Sequence, residues 1–214
     1  MKKYIVTIGL CILFFSSCSD WLDVKPKTTV EEEEVFSREL GFKEALTGIY
    51  IKMASTSLYA KNLSYGFLDV LGQRYQPRDV EAYQNELWYT FPSTKTESYM
   101  NTIWGSMYNV IANVNNALKF IDKRQGVLDP ASYRMIKGEL LAIRAMLHFD
   151  MMRLYGYGNL AGRTDKSTKP TVPYVTDYDK EMTPQLSYDQ TIELIVKDFR
   201  RPAELVDHHG DVAA

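Results

Sequence analysis

Apolar side chains that recur every three or four positions along three long stretches constrain the fold of this chain more than any other feature. The stretches run from about residue 36 to 53, from about 98 to 123 and from 129 to 155. This spacing places the apolar residues on one face of a helix, and that face must be buried. The predicted core positions are Phe42, Ala45, Leu46, Ile49, Tyr50 and Met53 in the first helix, Met100, Ile103, Trp104, Met107, Tyr108, Ile111, Val114, Leu118 and Ile121 in the second, and Tyr133, Ile136, Leu140, Ile143, Leu147, Met151 and Leu154 in the third.

A fourth helix is predicted to open at Ser187, because Ser187 and Gln190 form a capping-box pattern. Pro202 is expected to kink or shorten this helix, since proline removes an interior backbone donor. The residues predicted to face inward are Ile192, Ile195, Val196 and Phe199.

Signals for helix ends place the other helices. Ser37 is a candidate N-cap for the first helix, Gly126 can end the second, and Asp129 followed by Pro130 opens the third. Only about five residues join the second helix to the third, so the two should form an antiparallel hairpin. The sequence therefore predicts an all-α fold of tetratricopeptide-like helical hairpins, although the literal tetratricopeptide consensus is absent. The long irregular loops 55–96 and 156–186 are expected to be functional.

The N-terminus has the pattern of a bacterial lipoprotein signal. Lys2 and Lys3 precede a short apolar run from Tyr4 to Phe15, and Cys18 follows two serines. The run is only about half of the ~20 residues that a membrane-spanning helix needs. We therefore predict a signal peptide over 1–17, lipidation of Cys18 and a lipidated tether over 18–35. The alternative is an ordinary cleaved signal with a coincidental cysteine.

Cysteine and charge content narrow the class of protein further. Cys11 lies in the predicted signal peptide, so Cys18 has no partner for an intramolecular disulfide. Stability must then come from a packed core, which the hydrophobic content of 45% allows. The formal net charge is −2, and no basic excess indicates nucleic-acid binding.

Several segments together resemble the SusD/RagB family of outer-membrane lipoproteins. Cys18–Pro26 is similar to the mature N-terminus of that family, Glu44–Tyr50 to its first helix and Trp104–Asn113 to its second. The most specific match is Gly138–Phe149, which Leu154-Tyr155-Gly156 follows. Family members are much longer, so residues 36–214 resemble an incomplete N-terminal helical domain.

The resemblance implies a nutrient-binding protein that is not an enzyme and uses no cofactor. Such proteins are anchored by lipid in the cell outer membrane and face the cell exterior. They bind an oligosaccharide, or in some members a peptide, and pass it to a TonB-dependent SusC-like transporter.

The segment 64–91 has the residue types that bind a glycan. Flat rings stack on sugar faces, and planar polar groups hydrogen-bond hydroxyls. In the alternative reading, half of these rings belong to the core and the arginines pair with Asp69 and Asp79. The predicted ligand-binding residues are Arg74, Arg78, Trp88 and Tyr89.

Other polar residues are expected to be structural. Among them, His148 should be a satisfied helix histidine. His208-His209 lacks a third metal ligand at suitable spacing, so no metal site is predicted. Four asparagines are predicted to form a polar helix face with interhelical hydrogen bonds: Asn109, Asn113, Asn115 and Asn116. Three charged residues of the third helix are predicted to form ion pairs within the protein: Glu139, Arg144 and Asp150.

Two other functions remain open on sequence grounds. A lipid-anchored helical-repeat scaffold would bind another protein and no nutrient, but it would not need ring-rich loops as long as 55–96. A surface glycosidase would need two carboxylates that flank a cleft, roughly 5–9 Å apart.

Overall fold

The computed structural model describes five stretches of the chain. Within them, two short segments are described by their backbone alone. The chain divides into a unit that ends at Val35 and a unit that begins at Phe36. In the first unit, residues 32–35 form one helical turn. The predicted signal peptide, Cys18 and most of the tether lie outside the described residues. The described stretches are 32–74, 80–91, 93–159, 161–179 and 181–207, with the backbone alone at 80–82 and 202–207.

The second unit is built from helices, which confirms the all-α prediction. A 3-10 turn at Gln125–Val127 separates the two longest of them. The helices are α1 (Glu39–Met53), α2 (Phe67–Leu71), α3 (Val80–Leu87), α4 (Thr94–Lys123), α5 (Pro130–Tyr155) and α6 (Tyr188–Asp207).

A small antiparallel pair of strands supplements the helices. Strand β1 (Pro170–Pro173) pairs with β2 (Gln185–Ser187), with Pro170 opposite Ser187 and Pro173 opposite Gln185. The register shifts between these two pairings. Since β2 leads directly into α6, the pair fixes where that helix starts.

Helices α4 and α5 form the predicted antiparallel hairpin. Near the open end, the Tyr155 hydroxyl donates a hydrogen bond to the Met100 carbonyl at 2.6 Å. Near the turn, the Tyr133 hydroxyl donates to the Asp122 carboxylate at 3.1 Å. The start of each helix therefore lies beside the end of the other. Helix α1 packs on α4, and α6 packs on α5.

Two of the predicted helix caps are confirmed. The Asp129 carboxylate accepts hydrogen bonds from the backbone N–H groups of Ala131 and Ser132 at 2.9 and 3.0 Å. The Ser187 hydroxyl accepts from the Gln190 N–H at 3.3 Å, and the Gln190 side chain accepts from the Ser187 N–H at 3.0 Å. These reciprocal bonds are those of a capping box.

Two predicted ends are wrong. The N-cap position of α1 is held by Arg38, whose backbone is extended, and not by Ser37. The ring of Phe36 is buried against Phe42 and Phe120, with centroids 4.9 and 4.7 Å away. This anchor makes the chain turn before the helix begins. Helix α4 ends at Lys123, and Gly126 lies in the 3-10 turn beyond it.

The core follows the predicted stripes of α1, α4 and α5, with one exception in α1. Ile111 and Leu140 on facing helices are fully buried, as is Met151 further along α5. Tyr50 was expected inside but is 44% exposed. Its hydroxyl donates a hydrogen bond to the Glu139 carboxylate at 2.8 Å, so the ring lies across the surface between α1 and α5.

The predicted buried face of α6 is mostly wrong. Ile195 is buried, but the other three predicted residues are partly exposed, with Phe199 at 46%. The face that the helix buries is partly polar, since Thr191 and Asp198 have partners in the interior beside the buried Tyr188 and Ile195. Ile192, Val196 and Phe199 therefore form an apolar stripe on the outer side. Pro202 does not shorten the helix, which continues to Asp207.

In the part of the chain that is described, every helix is too short or too polar to cross a lipid bilayer.

Candidate ligand-binding site

The loop region that carries the predicted ligand-binding residues is tied together by two hydrogen bonds. The Gln73 side chain donates to the Leu87 carbonyl at 2.9 Å, and the Tyr89 hydroxyl donates to the Leu71 carbonyl. Gln73 and Tyr89 both have left-handed backbone conformations, with φ of 54° and 51°. Non-glycine residues adopt this region only when neighbouring contacts hold them there. The bonds thus fix the end of α2 against the end of α3.

A third contact attaches the preceding turns to the α4–α5 hairpin. The Tyr59 hydroxyl donates to the Asp150 carboxylate on α5 at 2.7 Å. Burial and the negative charge of Asp150 raise the pKa of Tyr59, so its proton stays in place. At Gly66, an added Cβ would lie 2.8 Å from the Lys61 carbonyl oxygen, so this close approach of the backbone requires glycine.

A cavity of about 440 Å³ opens between this loop region and α5, and we call it the polar cavity for the four charged side chains that line it together with Leu63, Leu68, Leu71 and Leu154. Asp69 and Arg74 line it from the α2 side, and Asp150 and Arg153 line it from α5. Arg153 and Asp150 form an ion pair at 2.8 Å. Among the described residues, Asp69 and Arg74 have no ion-pair partner, so the alternative in which Arg74 pairs with Asp69 is not observed. Their charged groups are available to a ligand.

Exposed aromatic rings follow α3 in the same loop region. Tyr89 is 55% exposed, and its ring meets that of Phe91 edge to face, with centroids 6.2 Å apart. Trp88 precedes it in the chain and is 63% exposed. These rings are too exposed to be core residues, so the alternative that placed them in the core does not hold for Trp88 and Tyr89.

The structure places the predicted residues as follows. Arg74 lines the polar cavity, and Tyr89 bonds to Leu71, which is another residue of its lining. Trp88 neighbours Tyr89 on the exposed loop. Arg78 lies outside the described residues. Asp150 and Arg153 were missed as lining residues because their spacing on one helix indicates an ion pair, which they do form.

A second, apolar cavity of about 410 Å³ adjoins the first. Leu71 and Leu154 line both cavities. This cavity could not be predicted from the sequence, because its walls come from α2, α4, α5 and the loop before α4. Its other apolar residues are Phe67, Phe91 and Met100, and its polar residues are Ser93, Thr96, Glu97 and Asn101.

Away from the cavities, a buried polar network joins α4, α5 and α6. Arg144 forms a two-point ion pair with Asp198, at 2.7 Å from Nε and 2.9 Å from Nη2. Its third nitrogen, Nη1, donates to the Asn115 side chain at 3.0 Å. The Tyr174 hydroxyl donates to Asp198 at 2.7 Å. Burial and this carboxylate raise the pKa of Tyr174. The predicted ion-pair role of Arg144 and interhelical role of Asn115 are confirmed.

His148 belongs to the same interior and is a satisfied helix histidine, as predicted. Its Nε2 accepts a hydrogen bond from the Val175 N–H at 2.9 Å, and its Nδ1 lies 2.8 Å from the Arg144 carbonyl. These partners require a neutral ring with the proton on Nδ1. Burial lowers the pKa of His148 to about 4. The ring is stacked on Tyr174 at 3.9 Å, so it supports the fold.

In the described stretches, no group of three histidine, cysteine or acidic side chains could hold a metal ion. His208 and His209 lie outside those stretches.

Three comparisons place the chain among known proteins. A SusD-like family model, described as starch-binding and associating with the outer membrane, matches residues 20–211. A SusD-like protein of Formosa agariphila is 24% identical in an alignment 190 positions long, which covers 78% of this chain and 35% of that protein.

Two solved structures have a similar fold. A SusD superfamily protein from Bacteroides thetaiotaomicron has a TM-score of 0.63 at 22% identity, over 78% of this chain and 37% of that one. A candidate sugar-binding protein from Bacteroides vulgatus has a TM-score of 0.61 at 24% identity, over 79% and 37%. The chain thus spans about a third of the length of these relatives.

Proposed function

Because the chain belongs to the SusD-like family of starch-binding proteins that associate with the outer membrane, we propose that it binds an oligosaccharide without transforming it. The site is the polar cavity with Arg74 and the exposed rings of Trp88 and Tyr89. The observation that carries the proposal is that Asp69 and Arg74, which have no ion-pair partner among the described residues, line one cavity, and that the exposed rings of Trp88 and Tyr89 belong to the same loop region. Rings stack on sugar faces, and charged groups form the stronger hydrogen bonds to hydroxyls.

The size and composition of the cavity support a small-molecule ligand. Its volume of about 440 Å³ falls within the ~300–1,000 Å³ of ordinary ligand pockets. The ion pair of Asp150 and Arg153 leaves further lone pairs and N–H groups for hydroxyls. The two bonds that lock the loop region hold the rings in place before the ligand arrives, and this lowers the entropy cost of binding.

The experiment is binding of the purified protein to a panel of soluble polysaccharides, followed by titration calorimetry with oligosaccharides of the polymer that binds. Trp88→Ala and Arg74→Ala should each weaken the affinity about tenfold or more, which is usual when an anchor residue of a binding site is truncated to alanine. Tyr178→Ala and Arg201→Ala are matched controls. Both residues are exposed and line a separate cavity, so the two variants should bind like the unmodified protein.

Three results would contradict the proposal. Binding that is unchanged in both Trp88→Ala and Arg74→Ala would exclude this cavity as the saccharide site. Release of new reducing ends from the bound polymer would show a glycosidase, in which two carboxylates such as Asp69 and Asp150 act on the sugar. A protein that binds no polysaccharide and captures another protein would favour the scaffold alternative.

We further propose that Cys18 carries the lipid anchor and that the protein delivers its ligand to a TonB-dependent SusC-like transporter at the cell surface. The lipoprotein-type N-terminus and the outer-membrane association of the family support this assignment. Cys18→Ala should release the protein from the membrane fraction. Purification of the protein from gently solubilised membranes should yield a large barrel protein in near-equal amount. If the protein with intact Cys18 stayed out of the membrane fraction, the lipid anchor would be contradicted. If no barrel protein copurified, the delivery to a transporter would be contradicted.

A further inference from the structure

The apolar cavity beside the proposed saccharide site has walls that a sugar does not need. Phe67, Met100 and Phe91 form them together with the two shared leucines. Its volume is about 410 Å³, close to that of the polar cavity. The charged residue in its lining is Glu97, whereas the polar cavity has four charged residues. Of its four polar lining residues, Ser93 and Thr96 already form hydrogen bonds within the protein, so sugar hydroxyls placed against the apolar walls would lose water and gain few hydrogen bonds in return.

The two cavities are neighbours because Leu71 and Leu154 belong to both linings. A ligand that extends from one cavity to the other must be polar at one end and apolar at the other. Phe91 is 47% exposed, so its ring is open to solvent in the absence of a ligand. Its contact with Tyr89 holds it in an edge-to-face arrangement, which leaves a ring face free.

We propose that the apolar cavity binds an aromatic acid that is esterified to the sugar, so that the preferred nutrient is an aryl-esterified oligosaccharide. This inference rests on the proposed function and specifies its ligand. The volume favours an aromatic acyl group, because an acetyl group would leave most of the cavity empty. The carboxylate of Glu97 on the lining disfavours a free acid, whose negative charge it would repel, and it tolerates a neutral ester.

The first experiment tests the cavity without a sugar. Methyl 4-hydroxycinnamate should bind to the purified protein, and the free 4-hydroxycinnamate anion should bind more weakly. Phe91→Asp places a charge in the wall and should abolish binding of the ester, and the exposure of Phe91 means that the fold should be kept. Met182→Asp is the matched control, because Met182 is 97% exposed and lies outside both linings.

The second experiment uses arabinoxylan oligosaccharides that carry hydroxycinnamoyl esters, beside a sample from which alkali has removed the esters. The esterified form should bind at least about tenfold more tightly, as expected for added apolar groups in a fitting pocket. Phe91→Asp should remove this advantage, so that the variant binds the esterified and the saponified forms with similar affinity.

The outcomes separate this inference from the proposed function. Equal affinity for esterified and saponified oligosaccharides, with no effect of Phe91→Asp, overturns the inference and leaves saccharide binding intact. Binding of the methyl ester with no binding of any saccharide overturns both, because the cavity would then not be part of a saccharide site.

Discussion

Asp198→Ala should destabilise the protein by about 3–5 kcal/mol, because it leaves the guanidinium of Arg144 buried without its anion. The Arg144 and Asp198 side chains are 8% and 5% exposed, and they are joined at 2.7 and 2.9 Å. The Tyr174 hydroxyl loses its 2.7 Å acceptor at the same time. A total stability of about 5–15 kcal/mol is usual for a domain, so the loss would be a large share of it.

A double-mutant cycle separates the value of the pair from the cost of breaking it. Arg144→Met should cost about as much as Asp198→Ala, because it leaves a buried carboxylate with Tyr174 as its remaining partner in the described structure. The variant with Arg144→Met and Asp198→Leu should be more stable than either single variant, since no unpaired charge remains.

Urea unfolding followed by circular dichroism measures these differences as shifts in the midpoint at constant slope. A single variant that loses less than about 1 kcal/mol would refute the reasoning, because a charge that is buried and unpaired cannot cost so little. So would a double variant whose loss equals the sum of the two single losses, because the pair would then have no coupling.

Three other predictions follow from the described contacts. The pKa of His148 is about 4 when folded and near 6.5 when unfolded, so its contribution of roughly 3 kcal/mol is complete above pH 6.5 and is lost as the pH falls towards 4. Urea unfolding at several pH values should show this loss, and His148→Gln should flatten the curve; an equal slope in both proteins would contradict it. Leu140→Ala should cost about 2–5 kcal/mol in the same assay, because Leu140 is fully buried at the α4–α5 interface, and a change within error would show that the core is not packed there. Tyr89→Phe should weaken oligosaccharide binding by roughly 1 kcal/mol through loss of the bond to Leu71, with little effect on unfolding; unchanged affinity in calorimetry would show that this bond does not position the loop.

The stripes of α4 and α5 could be predicted because both helices bury a wide apolar face along most of their length. Ile111 and Leu140 follow from spacing alone, and no partner has to be known to place them in the core. The Asp129 cap could be predicted for the same reason, since its hydrogen bonds lie within four residues of chain. Local signals of this kind do not depend on residues that are distant in the chain.

Helix α6 shows where spacing alone fails. Its apolar residues at 192, 196 and 199 fit a helical stripe, but the helix rotates to bury Asp198 against Arg144. The pair lies 54 residues apart in the chain, and a carboxylate is expected inside only when its partner is known to be there. Tyr50 was misplaced for a similar reason, because its hydroxyl reaches Glu139 across 89 residues.

The candidate site likewise contains residues that the sequence indicates and residues that it does not. Arg74, Trp88 and Tyr89 could be selected because rings and planar polar groups are concentrated in one loop segment, and residue type alone indicates what they can bind. Asp150, Arg153 and Phe91 could not be selected, because each has an ordinary local role. They line the cavities only after the loop is fixed by Tyr89 and Gln73.

The sequence by itself determined four of the helices, two of their caps, the hairpin and the kind of residues in the candidate binding loop, because these depend on periodicity and on contacts within a few residues. Only the tertiary structure decided which face of α6 is buried, where the buried ion pair lies and how a polar and an apolar cavity come to share a wall. Those features join residues that are distant in the chain, and the free energy of each depends on a partner that periodicity does not identify.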